Sequence, residues 1–358
     1  MKPKTTFKLT FSACAITLII IMLINTKTIS NSILNGIHLC LNVLIPSMFM
    51  FLILCDLFQQ TNILNFALKP IEPIFKRLFK IDKKLTSTVF FSLICGYPTG
   101  AYLISNLLEQ KQISKNTAER LICFCVNAGP AFLIGAISIP LTGNVILGFF
   151  LFISQIGAFL LVGTLCSIKT HTENIDIRIQ NPKKLPEIFV NSVNKSIKTM
   201  AMICGFAIMF SALIELIFKF TPNNIQNNQI FKILIAGFLE ITNGINQLNN
   251  IQNLNIFLLI ALLTSFGGVC VHFQLKAILA KFKISFKKFY LWRIVYCLTS
   301  VAICTFLFKA LNTSVSTCAL IKFEPVMSTK DISSSIGIII LSIALLCCDK
   351  KNIIIKKI

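Results

Sequence analysis

Ser92-Leu93-Ile94-Cys95-Gly96-Tyr97-Pro98-Thr99-Gly100-Ala101 sets two glycines and a proline inside an apolar run. Pro98 lacks the amide hydrogen that would continue a helix, and Gly96 and Gly100 admit left-handed backbone. A second stretch, Ser265-Phe266-Gly267-Gly268-Val269-Cys270-Val271-His272-Phe273-Gln274, is broken in the same manner. Ile113-Ser114 follows the first and Ile284-Ser285 follows the second at a matching distance. A bilayer tolerates broken helix only where the freed backbone groups are buried in protein or face a watery cavity. A matched pair of interrupted apolar segments therefore points to a transport-type binding site.

The rest of the chain supports a membrane setting. It has 358 residues, of which 55% are apolar and only 13% charged, against about 25% charged in soluble proteins. The mean hydropathy is +0.80. Apolar runs long enough to cross a bilayer are expected at 9–24, 37–58, 119–139, 144–168, 198–220, 289–311 and 332–348. The broken segments occupy 86–108 and 255–280. Residues 62–80, with Lys69-Pro70, Glu72-Pro73 and Lys76-Arg77, suit a helix lying at the interface. Residues 230–248 fit either an interfacial helix or a further span.

The formal charge of +21 sits in short loops between apolar runs, which excludes a polymeric nucleic acid as partner and marks those loops as cytoplasmic. Most of the fourteen cysteines lie within apolar segments, where a thiol behaves as a small hydrophobe. No CxxC pair exists, and His38, His171 and His272 are scattered, so no metal and no cofactor are expected. HExxH, a nucleophile triad and a phosphate-cradling GxxxxGK loop are missing, and Asp56 has no second aspartate to pair with. The reading is not an enzyme.

Residues 69–84 carry six positive charges, and 169–198 is basic too. Both loops belong in the cytoplasm, so an even number of crossings separates them. The spans at 119–139 and 144–168 supply two, which makes 86–108 a re-entrant hairpin with its tip near Gly96 to Gly100. The polar linker 169–187 divides the chain. A tail and first span (1–34) and a first repeat (35–168) precede it; a second repeat (188–348) and a basic tail (349–358) follow. With a second hairpin at 255–280, inverted repeats would place the basic loop after Lys281 outside, against the charge rule.

Candidate ligand positions follow from the breaks. Gly96, Pro98, Thr99 and Gly100 offer backbone dipoles at the first tip, and Gly267, Gly268, His272 and Gln274 populate the second. In Asn127-Ala128-Gly129-Pro130 an unwound turn frees carbonyls beside one amide side chain, a cation or polar-solute ligand set. Glu240 is an intramembrane carboxylate and a functional candidate for that reason. On this reading Asn127→Leu, Gly100→Val and Gln274→Leu abolish function in a folded protein. Asn106→Leu, near the interface, is tolerated.

Gly96-Tyr97-Pro98-Thr99-Gly100-Ala101, Ala118-Glu119-Arg120-Leu121, Asn127-Ala128-Gly129-Pro130 and Leu239-Glu240-Ile241-Thr242-Asn243-Gly244 resemble, in that order, the YlbJ-type sporulation membrane proteins. That family is part of the nucleoside recognition (Gate) group, and the resemblance spans about residues 35–310. It implies a plan similar to concentrative nucleoside transporters, with two structural repeats and a re-entrant hairpin in each, and a role in endospore formation. Cys270 stands where the resemblance implies a small hydroxyl residue. The expectation is thus an all-α, multi-pass protein of the cell membrane, acting as a transporter or channel for a small polar solute, nucleoside-like or ionic. The alternative is a non-transporting component that binds partner proteins in spore-envelope assembly. Its partners are the lipid bilayer and that solute or cation, with homo-oligomerisation open.

Overall fold

The computed structural model describes residues 3–61, 65–170, 184–222, 225, 227–248 and 254–310. Among these every regular element is helical. The expected span at 332–348 lies outside the described residues. Helix α1 (Pro3–Ile24) leads into α2 (Thr26–Thr61), which passes through a π-helical turn at Cys40–Leu44. Helix α3 (Glu72–Phe79) is too short to cross a bilayer. It buries Phe75 and Phe79 against Phe159 and Phe124 and exposes Ile74, Lys76 and Arg77.

Then come α4 (Thr86–Cys95) and α5 (Thr99–Glu109), α6 (Lys115–Ile122), an irregular stretch, α7 (Ala131–Thr142) and α8 (Val145–Ser167). The second half has α9 (Leu185–Phe220), α10 (Gln229–Leu239), α11 (Ile241–Asn246), α12 (Leu254–Phe266), α13 (Gly268–Leu279) and α14 (Lys287–Ala310). Five segments are long and apolar enough to cross a membrane: Thr26–Thr61, Val145–Ser167, Leu185–Phe220, Asn255–Phe282 and Lys287–Ala310. The chain is a multi-pass membrane protein.

Helices α4 and α5 fold back on each other. Thr88 and the carbonyl of Leu103 both accept from the Gln59 amide, at 3.3 Å each, and a Cβ on Gly100 would lie 3.1 Å from that of Ser92. The second half contains such a folded pair as well, but not where the glycines predict it. Helices α10 and α11 reverse at Glu240, and a Cβ on Gly244 would overlap the backbone of Gly237. Near the base of that pair Gln229 donates to the Gln247 carbonyl at 3.5 Å.

The stretch expected as the second hairpin, 255–280, is instead a bent crossing. Its arms diverge, α12 packing along α14 and α13 against α5, α9 and α10. The bend is made at Gly267 and Gly268, whose φ of +92° and +66° lie in the region that favours glycine. The segment at 230–248, expected as an interfacial helix or a span, is the folded pair.

Among the described residues each half contains a 36-residue helix followed by a folded pair of short helices, an interrupted segment and a straight helix, and the first half has α3 besides. The straight helices α8 and α14 pack together, as do α2 and α9. Polar contacts sort the connections onto two sides. Lys80 Nζ donates to the Ile168 carbonyl at 2.7 Å, Lys281 lies 4.0 Å from Glu109, and the Ser285 amide donates to Glu119 at 2.8 Å. The opposite side holds Lys219, which donates to the Thr28 hydroxyl at 3.2 Å.

Candidate functional site

The first folded pair ends in a tip that the chain itself closes. Gly96 turns with φ +73°, and Thr99 donates its amide back to the Gly96 carbonyl at 3.0 Å. Residues 123–130 carry no regular helix from Phe124 onward and lie across this tip. The Tyr97 amide donates to the Asn127 carbonyl at 2.6 Å. The last carbonyls of a helix need outside partners, and Asn127 supplies one, its Nδ2 donating to the Leu93 carbonyl at 3.2 Å. Its Oδ1 is buried without a partner among the described residues. Gly100 lets the carbonyl of Cys125 approach where any Cβ would collide with it.

In the second half the turn is made by a side chain. Glu240, extended at φ −145°, accepts from the Thr242 amide and hydroxyl (both 3.1 Å) and from the Asn243 amide (2.7 Å) and Nδ2 (3.0 Å). It thus caps α11 and ends α10. Gly268 places its backbone against this turn, since a Cβ there would stand 3.4 Å from the Leu239 carbonyl. In each half, then, the tip of the folded pair rests on the break in the crossing that follows it.

Both tips border one cavity. Its space comes to about 600 Å³ when the open solvent at its mouth is counted with it. Gly96, Pro98 and Gly129 line it from the first half, and Glu240, Thr242 and Gln274 from the second. The remaining wall is mostly apolar, with Phe51 and Phe132 among it. Glu240 carries the only charge among the described residues lining it. Gln274 donates to the Cys270 thiol at 3.4 Å, so the cysteine that stands in place of a hydroxyl still serves as a partner. Ser47 also reaches the wall. It was missed because a lone serine donating to its own helix, here to the Val43 carbonyl at 2.6 Å, leaves no sequence signal.

Thr99, Gly100, Asn127, Pro130, Gly267, Gly268 and His272 are not among the lining residues. Asn127, Gly100 and Gly268 support the tips from behind. His272 faces Phe266, Phe289 and Tyr290 with its ring, and Nε2 lies 3.0 Å from the Phe266 carbonyl. A carbonyl only accepts, so Nε2 bears the proton.

A second polar cluster escaped the sequence reading. Asp56, fully buried on α2, accepts from Tyr102 (2.9 Å), Asn106 (3.0 Å), Ser192 (2.7 Å) and Gln60. Lys195 Nζ lies 3.9 Å away. Asn106 also donates to Gln59 at 3.3 Å. The expectation that Asn106 is a dispensable interfacial residue is corrected: it is 5% exposed and holds α5 to α2.

Residues 41–168 match the nucleoside recognition family, Gate. Over 318 residues the chain is 24% identical to the sporulation integral membrane protein YlbJ of Bacillus subtilis (strain 168), with 78% of each chain covered. No solved structure matches. The resemblance read from the ordered motifs thus agrees with whole-chain comparison: this is a multi-pass membrane protein with a Gate-type segment at 41–168, similar over most of its length to YlbJ.

Proposed function

We propose that the chain is a sporulation-linked transporter for a small polar solute bearing hydrogen-bond donors or positive charge. Solute binds in the cavity between the tips at Gly96–Pro98 and Glu240, and no chemical transformation takes place. The observation that carries the reading is that cavity. Two helix reversals from different halves of the chain meet there, in a wall whose one charge is a carboxylate. Intramembrane carboxylates are costly and mark substrate or ion pathways. Aromatic and aliphatic walls with a few placed polar groups suit a compact solute with a flat apolar face, which agrees with the words nucleoside recognition.

The halves are read as inverted repeats with the folded pairs re-entrant. Each half then makes three crossings: α2, α6–α7 and α8 in the first, and α9, α12–α13 and α14 in the second. An odd count turns the second half over. The charge rule supports this orientation. Residues 69–84 and the lysines 281, 283, 287 and 288 fall on one side, while 221–228 and 247–253, on the other, carry no charge. Inverted repeats and a cytoplasmic Lys283 conflicted only while 255–280 was taken as the hairpin.

The test is binding and uptake with the full chain in liposomes, across nucleosides and small cations. At least one solute should bind saturably, and Glu240→Gln should abolish it. Failure of every solute would favour the partner-binding scaffold instead. A reporter fused after Lys283 should show cytoplasmic activity, and external activity would overturn the orientation.

A further inference from the structure

Arg293 lies on α14 about 9 Å along the axis from its first residue, and only 1% of it is exposed. Its Nη1 donates to the Val126 carbonyl at 2.5 Å, and its Nε donates to the Phe266 carbonyl at 2.9 Å. The guanidinium carbon sits 5.0 Å from the Tyr296 ring centre and 5.5 Å from that of Phe289. These contacts engage two of the three nitrogens and the faces of the group. Nη2 is left buried with no hydrogen-bond partner, and among the described residues no carboxylate stands within ion-pair distance.

Nη2 abuts Gly267, whose Cβ, if it had one, would lie 3.1 Å away. Gly267 is the residue before α13, a twelve-residue helix with no side-chain cap. The amide end of a helix carries partial positive charge and attracts anions. A full positive charge and a positive helix end therefore face each other inside the membrane domain. Glu240 makes no ion pair with Arg293 among the described residues, and its oxygens accept from its own turn. An uncompensated buried charge is strongly unfavourable, and the two carbonyls meet only part of that need.

We infer that a small monovalent anion, of halide or carboxylate size, binds between Arg293 Nη2 and the N-terminus of α13. Such an ion would complete the guanidinium's donors and cap the helix. It would also tie the unwound segment at Val126 to the bend at Gly267. Neither Arg293 nor Gly267 lines the solute cavity, so this site stands or falls apart from the proposed transport.

The single tryptophan of the chain, Trp292, precedes Arg293 on α14, is partly buried, and serves as the emission probe. The full chain in detergent is titrated with bromide, a heavy-atom quencher, against gluconate at constant ionic strength. Trp292 emission should fall with a saturable component that chloride competes away, and Arg293→Gln should lose that component. Purely linear quenching in the parent protein, or a saturable component unchanged in Arg293→Gln, would overturn the proposal and leave water as the partner of Nη2. Should Arg293→Gln fail to fold, chloride competition in the parent decides alone: relief of quenching supports the site, and its absence refutes it.

Discussion

The two halves turn their chains back by different chemistry. At Gly96–Pro98 the reversal is made of backbone: a left-handed glycine, a proline without a donor, and an unwound segment that accepts the Tyr97 amide. At Glu240 it is made by one carboxylate that receives four donors from the two residues after Ile241. The breaks beneath them differ as well. Residues 124–129 unwind over a stretch, whereas Gly267 and Gly268 bend the other segment at one point. One architectural plan thus tolerates unlike solutions. The difference also divides the cavity, with backbone dipoles on one wall and, among the described residues lining it, the only acidic or basic side chain on the other.

Close packing sets the largest expected effect. Gly100→Val and Gly244→Val should both prevent recovery of monodisperse protein, since each side chain would be driven into backbone, of Cys125 or Gly237. For Gly100→Val this replaces the sequence-based expectation of a folded but inactive protein. A well-behaved Gly244→Val on size exclusion would break the equivalence of the two folded pairs.

Next is Glu240→Gln, which removes the charge and, because an amide NH2 only donates, also deprives either Thr242 or Asn243 of its acceptor. Solute or cation affinity in nanodiscs should fall about tenfold or more, equivalent to roughly 1.4 kcal/mol, together with a lower melting temperature. An unaffected affinity would remove Glu240 from the site.

Asn106→Leu should lower stability by about 1–3 kcal/mol, the cost of removing one of the four donors to Asp56 and the donor to the Gln59 Oε1. Thermal unfolding of variant and parent side by side measures it. The smallest effect belongs to Asn127→Leu, which releases one carbonyl at the end of α4 and should cost about 1 kcal/mol. Solute affinity should drop less than in Glu240→Gln, because Asn127 stands behind the cavity wall. A larger loss of binding than in Glu240→Gln would return Asn127 to the ligand set.

How much of this is legible in the sequence depends on which residue makes each break. Glycine and proline announce the first tip, and Asn127-Ala128-Gly129-Pro130 announces the unwound stretch, because each removes a helical option outright. Glu240 announces nothing of the kind. In sequence it is a polar residue in an apolar segment, and only the amides of Thr242 and Asn243 show that it ends one helix and starts another. Gly267-Gly268 misleads in the opposite sense, since a pair of glycines reads as a reversal whether the chain folds back or merely bends. Asp56 was visible but looked unpaired, because its donors come from α5 and α9, far away in the chain.

The Asp56 cluster has a mechanical corollary. It fastens the return arm of the first folded pair, through Tyr102 and Asn106, to the two long helices that carry Asp56 and Ser192. The second folded pair is joined to a long helix by the bond from Asn243 to Ser211, 2.8 Å, close to its tip. A hinged part swings about the place where it is fixed. The first pair is fastened to the long helices along its return arm and the second beside its tip, so the two pass a common load to those helices at different points.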